Sequence, residues 1–356
     1  METLRLKVDT ANLASEASQS AIARAAEILR GGGTVAFPTE TVYGLGANAL
    51  DVEAVKKIFV AKDRPSWDPL IVHIGEGGML KHVAAQVTGE AARLVERLTA
   101  AFWPGPLTML LPRSAEIPEL VTAGLERVGV RMPAHPVTRA LLAAAGVPVA
   151  APSANRFGRT SPTTAEHVAE DLDGRIDAIL DAGETTHGVE STVVDVRAEG
   201  CVIYRPGVIT QEQLAAACGA RVWALEGKEE PESAKAAPAP GMGIRHYAPR
   251  AKLVLVEGEG RAQMESLAQA LRACEAAGDA VGVMLPDEFR SAVAGGQVQV
   301  YRWGRLQDAE ELAQRLYAGL RELDAAGVTA IVCPMPRAEG IGVAVRDRLL
   351  RAANRG

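Results

Sequence analysis

Apolar positions along this chain recur at helical spacing in some stretches and in short unbroken runs in others. Ile22, Ala25, Ala26 and Leu29 share one helical face over residues 18–30, and Gly31-Gly32-Gly33 stops that helix. Residues 34–37 read as a strand running into Pro38-Thr39-Glu40-Thr41-Val42-Tyr43-Gly44-Leu45-Gly46. Asp51 suits an N-cap, because its short carboxylate can accept from the first free N–H groups of a helix. The helix it opens is predicted to bury Val52, Val55, Ile58 and Phe59 and to end in Lys62-Asp63-Arg64-Pro65.

Residues 70–74 and 107–111 read as strands bracketing a helix over 90–102, which Trp103-Pro104-Gly105-Pro106 terminates. Two further strands, 128–131 and 147–150, flank a helix at 136–145. Strands at 176–180, 191–196 and 202–204 and a helix at 211–217 complete a strand-rich unit of mixed type. Residues 228–250 carry charge and proline without periodicity, the texture of a linker. Beyond it, strands at 252–256, 280–285, 298–302 and 328–333 alternate with helices at 261–276, 309–325 and 343–353. That alternation predicts a small Rossmann-like parallel sheet.

Composition narrows the function classes. At 356 residues two domains are the default. Aromatics make up only 4% of the chain, so stacking platforms for single-stranded nucleic acid are scarce. The net charge of −6 argues against strong direct nucleic-acid binding, which normally needs a basic excess. Cys201, Cys218, Cys274 and Cys333 lack C-x-x-C spacing and read as small buried hydrophobes of a reducing compartment. With no apolar leader at the N-terminus and no long apolar run, a cytoplasmic address without membrane contact is expected.

Familiar nucleotide signatures are missing. No G-x-x-x-x-G-K-[ST] occurs, and Gly44-Leu45-Gly46-Ala47-Asn48-Ala49 fits G-x-G-x-x-A only in what reads as a turn context. The six histidines lack paired metal-ligand spacing, so no metal site built from protein side chains is expected. What remains is a set of polar segments at strand ends: Lys62-x-Arg64, Arg131, Ser153-Ala154-Asn155 and Arg205. A triphosphate needs several cations and hydroxyl or amide donors converging on it. Each segment alone also fits an ordinary turn or a cation at a helix end. Jointly, in a net-acidic chain, they favour a polyanion pocket.

These residues carry a resemblance. Residues 38–46, Lys62-x-Arg64, Pro69-Leu70-Ile71-Val72-His73, residues 103–108, residues 151–155 and Gly188-Val189-Glu190-Ser191-Thr192 resemble the YrdC-like domain of threonylcarbamoyl-AMP synthases. Residues 240–249 resemble the linker of the two-domain form, and 340–345 with 348–353 resemble its C-terminal end. The resemblance implies an α/β fold: a YrdC-like twisted mixed sheet with an open cavity (1–227), a linker or lid (228–250) and a smaller Rossmann-like domain (251–356). It implies an enzyme, a nucleotidyltransferase joining L-threonine, bicarbonate and ATP, with Mg2+ on the nucleotide, and possible hand-off of product to the tRNA threonylcarbamoyl transferase machinery.

Carried over by position, Thr41, His73, Arg131, Ala151 and Ser191 would surround threonine, with Arg131 facing its carboxylate. Lys62, Arg64, Ser153 and Asn155 form the family's catalytic motif. Arg64, Asp68, Arg127, Ser153, Ser161, Arg205 and Tyr247 would line ATP, beside Lys62 and Asn155. Asp68 stands where the family commonly shows Asn, and a carboxylate there repels a triphosphate unless it faces a cation. Arg127 is not a residue expected from the family's pattern. Tyr247, on the linker, reads equally as an aromatic peg and as part of a lid. Two rivals are an RNA-binding or translation-associated module without catalysis, and an enzyme making a carbamoyl-adenylate of another acceptor. Pyrophosphate release that needs all three substrates separates the first rival from the enzyme.

Overall fold

The helix expected after Asp51 forms as Val52–Lys62, and the Asp51 carboxylate accepts from the N–H groups of Glu53 (2.9 Å) and Ala54 (3.2 Å). Val55, Ile58 and Phe59 are buried as expected, but Val52, in the first turn, points off the stripe and is 40% exposed. The computed structural model describes residues 2–225, 246–293 and 298–354. The chain divides into two units, each with its own sheet.

The first unit spans Met1–Phe157, Pro162–Thr186 and Glu190–Gly243. Its strands are β1 (Leu4–Lys7), β2 (Val35–Phe37), β3 (Gly44–Asn48), β4 (Ile71–His73), β5 (Leu107–Pro112) and β6 (Arg127–Arg131). They are followed by β7 (Val149–Ala150), β8 (Ala178–Asp181), β9 (Thr192–Arg197), β10 (Gly200–Arg205) and β11 (Val222–Ala224). The sheet is mixed, in the order β1-β8-β2-β3-β7-β4-β6-β5-β9-β10-β11.

Alternation along these strands divides the sheet into two faces. On one face the helices Val52–Lys62, Gly89–Phe102, Ala165–Leu172 and Gln211–Cys218 supply Val55, Ile58, Leu94, Leu98, Val168 and Leu214 to an aliphatic core with Leu45, Val72, Val130 and Val194. On the other, the helices Glu16–Arg30 and Pro136–Ala145 pack Ile22, Leu29, Leu141 and Leu142 over Val35, Phe37 and Val149. Registered neighbours carry this second face onward from Val149 to His73, Arg131, Thr108 and Val193. The face that is apolar at β2 and β7 therefore turns polar at β4, β6 and β5. This change of character positions the site.

The segment read as a turn at Gly44 is strand β3, antiparallel to both β2 and β7. Its glycines are needed for packing: a Cβ on Gly46 would lie 2.6 Å from Phe37 Cε1 and 2.6 Å from Val149 Cγ1. A missing side chain hid a strand whose neighbours supply the bulk. Strand β1, with only part of one residue shielded, and the helix Ala165–Leu172 carry too few periodic apolar positions to stand out in the sequence. Gly31 caps the helix Glu16–Arg30 through its N–H on the Glu27 carbonyl (2.9 Å), as the glycine run predicts.

The second unit comprises Gly158–Ser161, His187–Val189 and Ile244–Gly356. Strands β12 (Lys252–Val256), β13 (Val281–Pro286), β14 (Gln299–Gly304) and β15 (Ala330–Pro334) pair in parallel, in the order β12-β15-β13-β14. With helices Gly260–Ala276, Ala309–Ala325 and Gly342–Ala353 they form the smaller α/β layer that the alternating pattern predicts. The short stretches from earlier in the chain are bonded into this unit. Ala248 N–H donates to the Gly158 carbonyl (2.9 Å) and Arg321 Nη2 to the Thr160 carbonyl (2.6 Å). Of the expected linker, residues 228–245 lie outside the described residues.

All four cysteines are buried free thiols. Among the described residues no helix is long and apolar enough to cross a membrane.

Because Gly46 has no space for a side chain, Gly46→Ala is expected to destabilise the first unit by about 1–3 kcal/mol through overpacking. Urea denaturation followed by circular dichroism reads this as a lower midpoint with an unchanged slope.

Candidate functional site

The loop after β2 is shaped by its own hydroxyls. Thr39 Oγ1 donates to the Val42 carbonyl (2.6 Å) and accepts the N–H groups of Thr41 (3.1 Å) and Val42 (3.2 Å), a local turn typical of threonine. Thr138, on the helix Pro136–Ala145, donates to the Pro38 carbonyl and ties the loop down. Glu40 and Thr41 are thereby held against the end of β6. Arg131 Nη2 meets Glu40 Oε1 at 2.5 Å, Nη1 donates to Thr41 Oγ1 at 2.9 Å, and Nε donates to the Gly105 carbonyl at 3.3 Å. Glu40 Oε2 accepts the Ala134 N–H at 3.1 Å. The Arg131 and Glu40 side chains are only 4% and 9% exposed.

His73 ends β4 beside Arg131 in register, its ring edge-on to Phe37 at 6.0 Å. Burial, reinforced by the Arg131 charge, pulls its pKa from 6.5 to about 3, so the imidazole is neutral at pH 7. For Glu40, burial opposes ionisation, but the Arg131 charge and hydrogen bond outweigh it and hold the carboxyl below its usual range. Ala151 sits at the other end of β4, its N–H on the Ile71 carbonyl (2.8 Å).

Lys62, the last residue of the helix Val52–Lys62, is fully buried and reaches the loop that leaves β7. Its Nζ donates to the carbonyls of Ser153 (2.6 Å) and Asn155. Burial and then the neighbouring Arg64 charge pull its pKa well below the usual amine value, while Asp171 and Asp68 pull it back up. Arg64 Nη2 meets Asp68 Oδ2 at 2.9 Å and donates to the Pro69 carbonyl at 2.8 Å. Its Nε donates to the Asp68 carbonyl at 3.1 Å, and its guanidinium lies over the Phe157 ring at 5.9 Å. Asp68 does face a cation.

A third cluster lies where β5, β9 and β10 meet. Ser191 Oγ and Thr108 Oγ1 are 2.8 Å apart, and Arg205 Nη2 donates to the Ser191 carbonyl (3.0 Å) and Oγ (3.2 Å). Further along this face Arg127 Nη2 meets Asp195 Oδ1 at 2.6 Å and donates to the carbonyls of Leu110 (2.7 Å) and Val196 (2.9 Å). Thr108 links the clusters, since it is registered with Arg131.

Thus Thr41, His73, Arg131 and Ser191 share one stretch of the sheet face. Lys62, Arg64, Asp68, Ser153 and Asn155 gather before β4, and Ala151 adjoins them. Ser161 and Tyr247 belong to the second unit. There Tyr247, at a left-handed φ of 65°, meets His246 edge-on (4.3 Å) and Tyr317 at a tilt (5.9 Å), with the Arg348 guanidinium over its ring (5.1 Å). Sequence reasoning assigned no role to Glu40, Thr108 or Asp195. Glu40 lies inside a quoted motif, and its separation of 91 residues from Arg131 explains the omission.

Residues 27–207 match the family described as Telomere recombination (Sua5/YciO/YrdC), and residues 209–354 match the family described as Threonylcarbamoyl-AMP synthase, C-terminal domain. The chain is 43% identical to the threonylcarbamoyl-AMP synthase of Pyrococcus abyssi, covering 92% of this chain and 93% of that protein. It is also 43% identical to that of Bacillus subtilis, covering 99% and 98%. Its fold is similar to the crystal structure of P. abyssi Sua5 complexed with L-threonine, with a TM-score of 0.87, 40% identity and coverage of 99% and 98%.

The depressed His73 pKa fixes a stability trend. Between about 6.5 and about 3 the unfolded chain binds a proton that the folded chain does not, so stability falls as pH drops through that window. Glu40 adds a loss in the same direction only below its ordinary value of 4.5. Thermal unfolding from pH 7 to pH 4.5 is expected to show a falling Tm, with a shallower slope in His73→Gln. Equal slopes would place His73 in water rather than in the sheet.

Proposed function

The chain belongs to the two-domain threonylcarbamoyl-AMP synthase family, and from that membership and the site we propose how it makes its product. The reaction is L-threonine plus bicarbonate plus ATP giving L-threonylcarbamoyladenylate, pyrophosphate and water. The threonine nitrogen, once deprotonated, forms the N–C bond to bicarbonate carbon and water leaves. A carbamate oxygen then bonds the α-phosphorus, and the bond to the bridging oxygen breaks, its electron pair departing with pyrophosphate.

One observation supports this reading above the others. Two cation clusters stand at opposite ends of the three-residue strand β4, Arg64 with Lys62 before it and Arg131 after it. A strand of that length spans ~10 Å. An amino acid held at Arg131 and phosphates held near Arg64 would meet over it, and such positioning supplies much of the rate in an in-line displacement. In this reading Thr41, His73, Ala151 and Ser191 shape the amino-acid end. Ser153, Asn155, Arg205 and Arg127 lie along the nucleotide, with Lys62 fixing the Ser153–Asn155 backbone. Ser161 and Tyr247 are proposed nucleotide contacts from the resemblance alone.

Mg2+ is proposed to arrive as the nucleotide's own counter-ion and to neutralise charge developing on the phosphates. The carboxylates near the site fit a resident ion poorly, because Glu40, Asp68 and Asp195 each face an arginine. The product is an activated acyl group whose consumption needs a transferase acting on tRNA. Hand-off of the product to that machinery, in the cytoplasm, is part of the proposal. A purely RNA-binding role is disfavoured by the enzyme name that the relatives carry.

The purified chain is expected to release pyrophosphate only with threonine, bicarbonate and ATP together, and Arg64→Ala to lower the rate by about 100-fold or more. Release without threonine, or wild-type turnover by Arg64→Ala, would show the cation cluster to be misassigned.

A further inference from the structure

The Arg131–Glu40 pair is more than a means of burying an arginine. Hydrophobic residues of similar volume generally stabilise an interior as well as a buried ion pair does. Here the pair sits at the end of β6, on the sheet face that turns polar beyond Val149, and both partners keep hydrogen-bonding capacity. Each terminal nitrogen of Arg131 donates to one acceptor, Nη1 to Thr41 and Nη2 to Glu40, and so keeps one N–H. Glu40 accepts from Arg131 and from the Ala134 N–H, and an ionised carboxylate has room for more donors. The two opposite charges are 2.5 Å apart. In a free α-amino acid, ammonium and carboxylate are borne on the same carbon, so the two charges are also close neighbours.

We propose that this pair receives both charges of the free amino acid, Arg131 taking the carboxylate and Glu40 the ammonium, which makes Glu40 the residue that selects an unmodified amine. The assignment rests on the reading of Arg131 as the amino-acid end of the site. Its surroundings agree with it. The depressed pKa of Glu40 keeps it ionised at neutral pH, and the neutral His73 beside it adds no charge to repel an ammonium. The strong phosphate-end cation, Arg64, is turned to Asp68 before β4.

The test is equilibrium binding to the full chain by calorimetry, with L-threonine and with 3-hydroxybutanoate, which has hydrogen in place of the amine. Wild type is expected to bind 3-hydroxybutanoate about 10- to 100-fold more weakly, the range for a hydrogen bond to a charged group. Glu40→Gln is expected to lose a similar factor for threonine and none for 3-hydroxybutanoate, so the preference collapses. Equal affinities in wild type overturn the proposal, and that comparison decides even if Glu40→Gln does not fold. Equal weakening of both ligands in Glu40→Gln also overturns it, because Glu40 would then act only through Arg131. If L-threonine itself does not bind, or binds Arg131→Ala as tightly as wild type, the underlying reading falls and takes the proposal with it.

Discussion

A guanidinium or ammonium taken out of water has to be matched by acceptors, or it does not stay charged. Two buried arginines of the first unit meet this demand with carboxylates, Arg131 with Glu40 and Arg64 with Asp68, and the half-buried Arg127 likewise faces Asp195. Lys62 donates to backbone carbonyls, and burial, with the neighbouring Arg64 charge, pulls its amine pKa down. Each arrangement holds its cation in one orientation before any ligand arrives. Fixed dipoles and charges of this kind favour developing charge without the cost of reorienting when reaction occurs.

The sheet decides where such groups can stand. Where the helices Glu16–Arg30 and Pro136–Ala145 lie over it, the face is Val, Phe and Leu. Past Val149 the registered neighbours become His73, Arg131 and Thr108, while the opposite face remains continuous aliphatic core through Val72, Val130 and Val194. One side of the sheet is thus free to carry polar groups because the other side keeps the fold together. Short loops at the strand ends, each containing one proline (Pro38 and Pro152), then bring in Glu40, Thr41 and the Ser153–Asn155 backbone.

Much of this was legible in the sequence, for definable reasons. Helices with a regular apolar stripe, such as Pro136–Ala145 and Ala309–Ala325, sit where the spacing puts them, as do the parallel strands of the second unit. Strand β3 was not legible, because Gly44 and Gly46 stand where Phe37, Val149 and Ala151 fill the space, so the strand is written with missing side chains rather than with apolar residues. Val52 shows the limit of counting apolar residues at a helix end: it points off the stripe that buries Val55, Ile58 and Phe59. Within the site, the cations stood out as clustered charge in an acidic chain. Their carboxylate partners did not, since Glu40, on a loop, and Asp195, on β9, meet their arginines only through contacts between distant parts of the sequence. Asp68 was noticed as an anomaly, and its contact with Arg64 resolves it.

The union of Glu40 with Arg131 also bears on descent. Replacing either one alone strands its partner's charge in a place with almost no water, a loss that a marginally stable protein tolerates poorly. Neutral drift through single substitutions is therefore closed at both positions. In any lineage retaining this architecture they should be inherited as one coupled character, changing together or not at all.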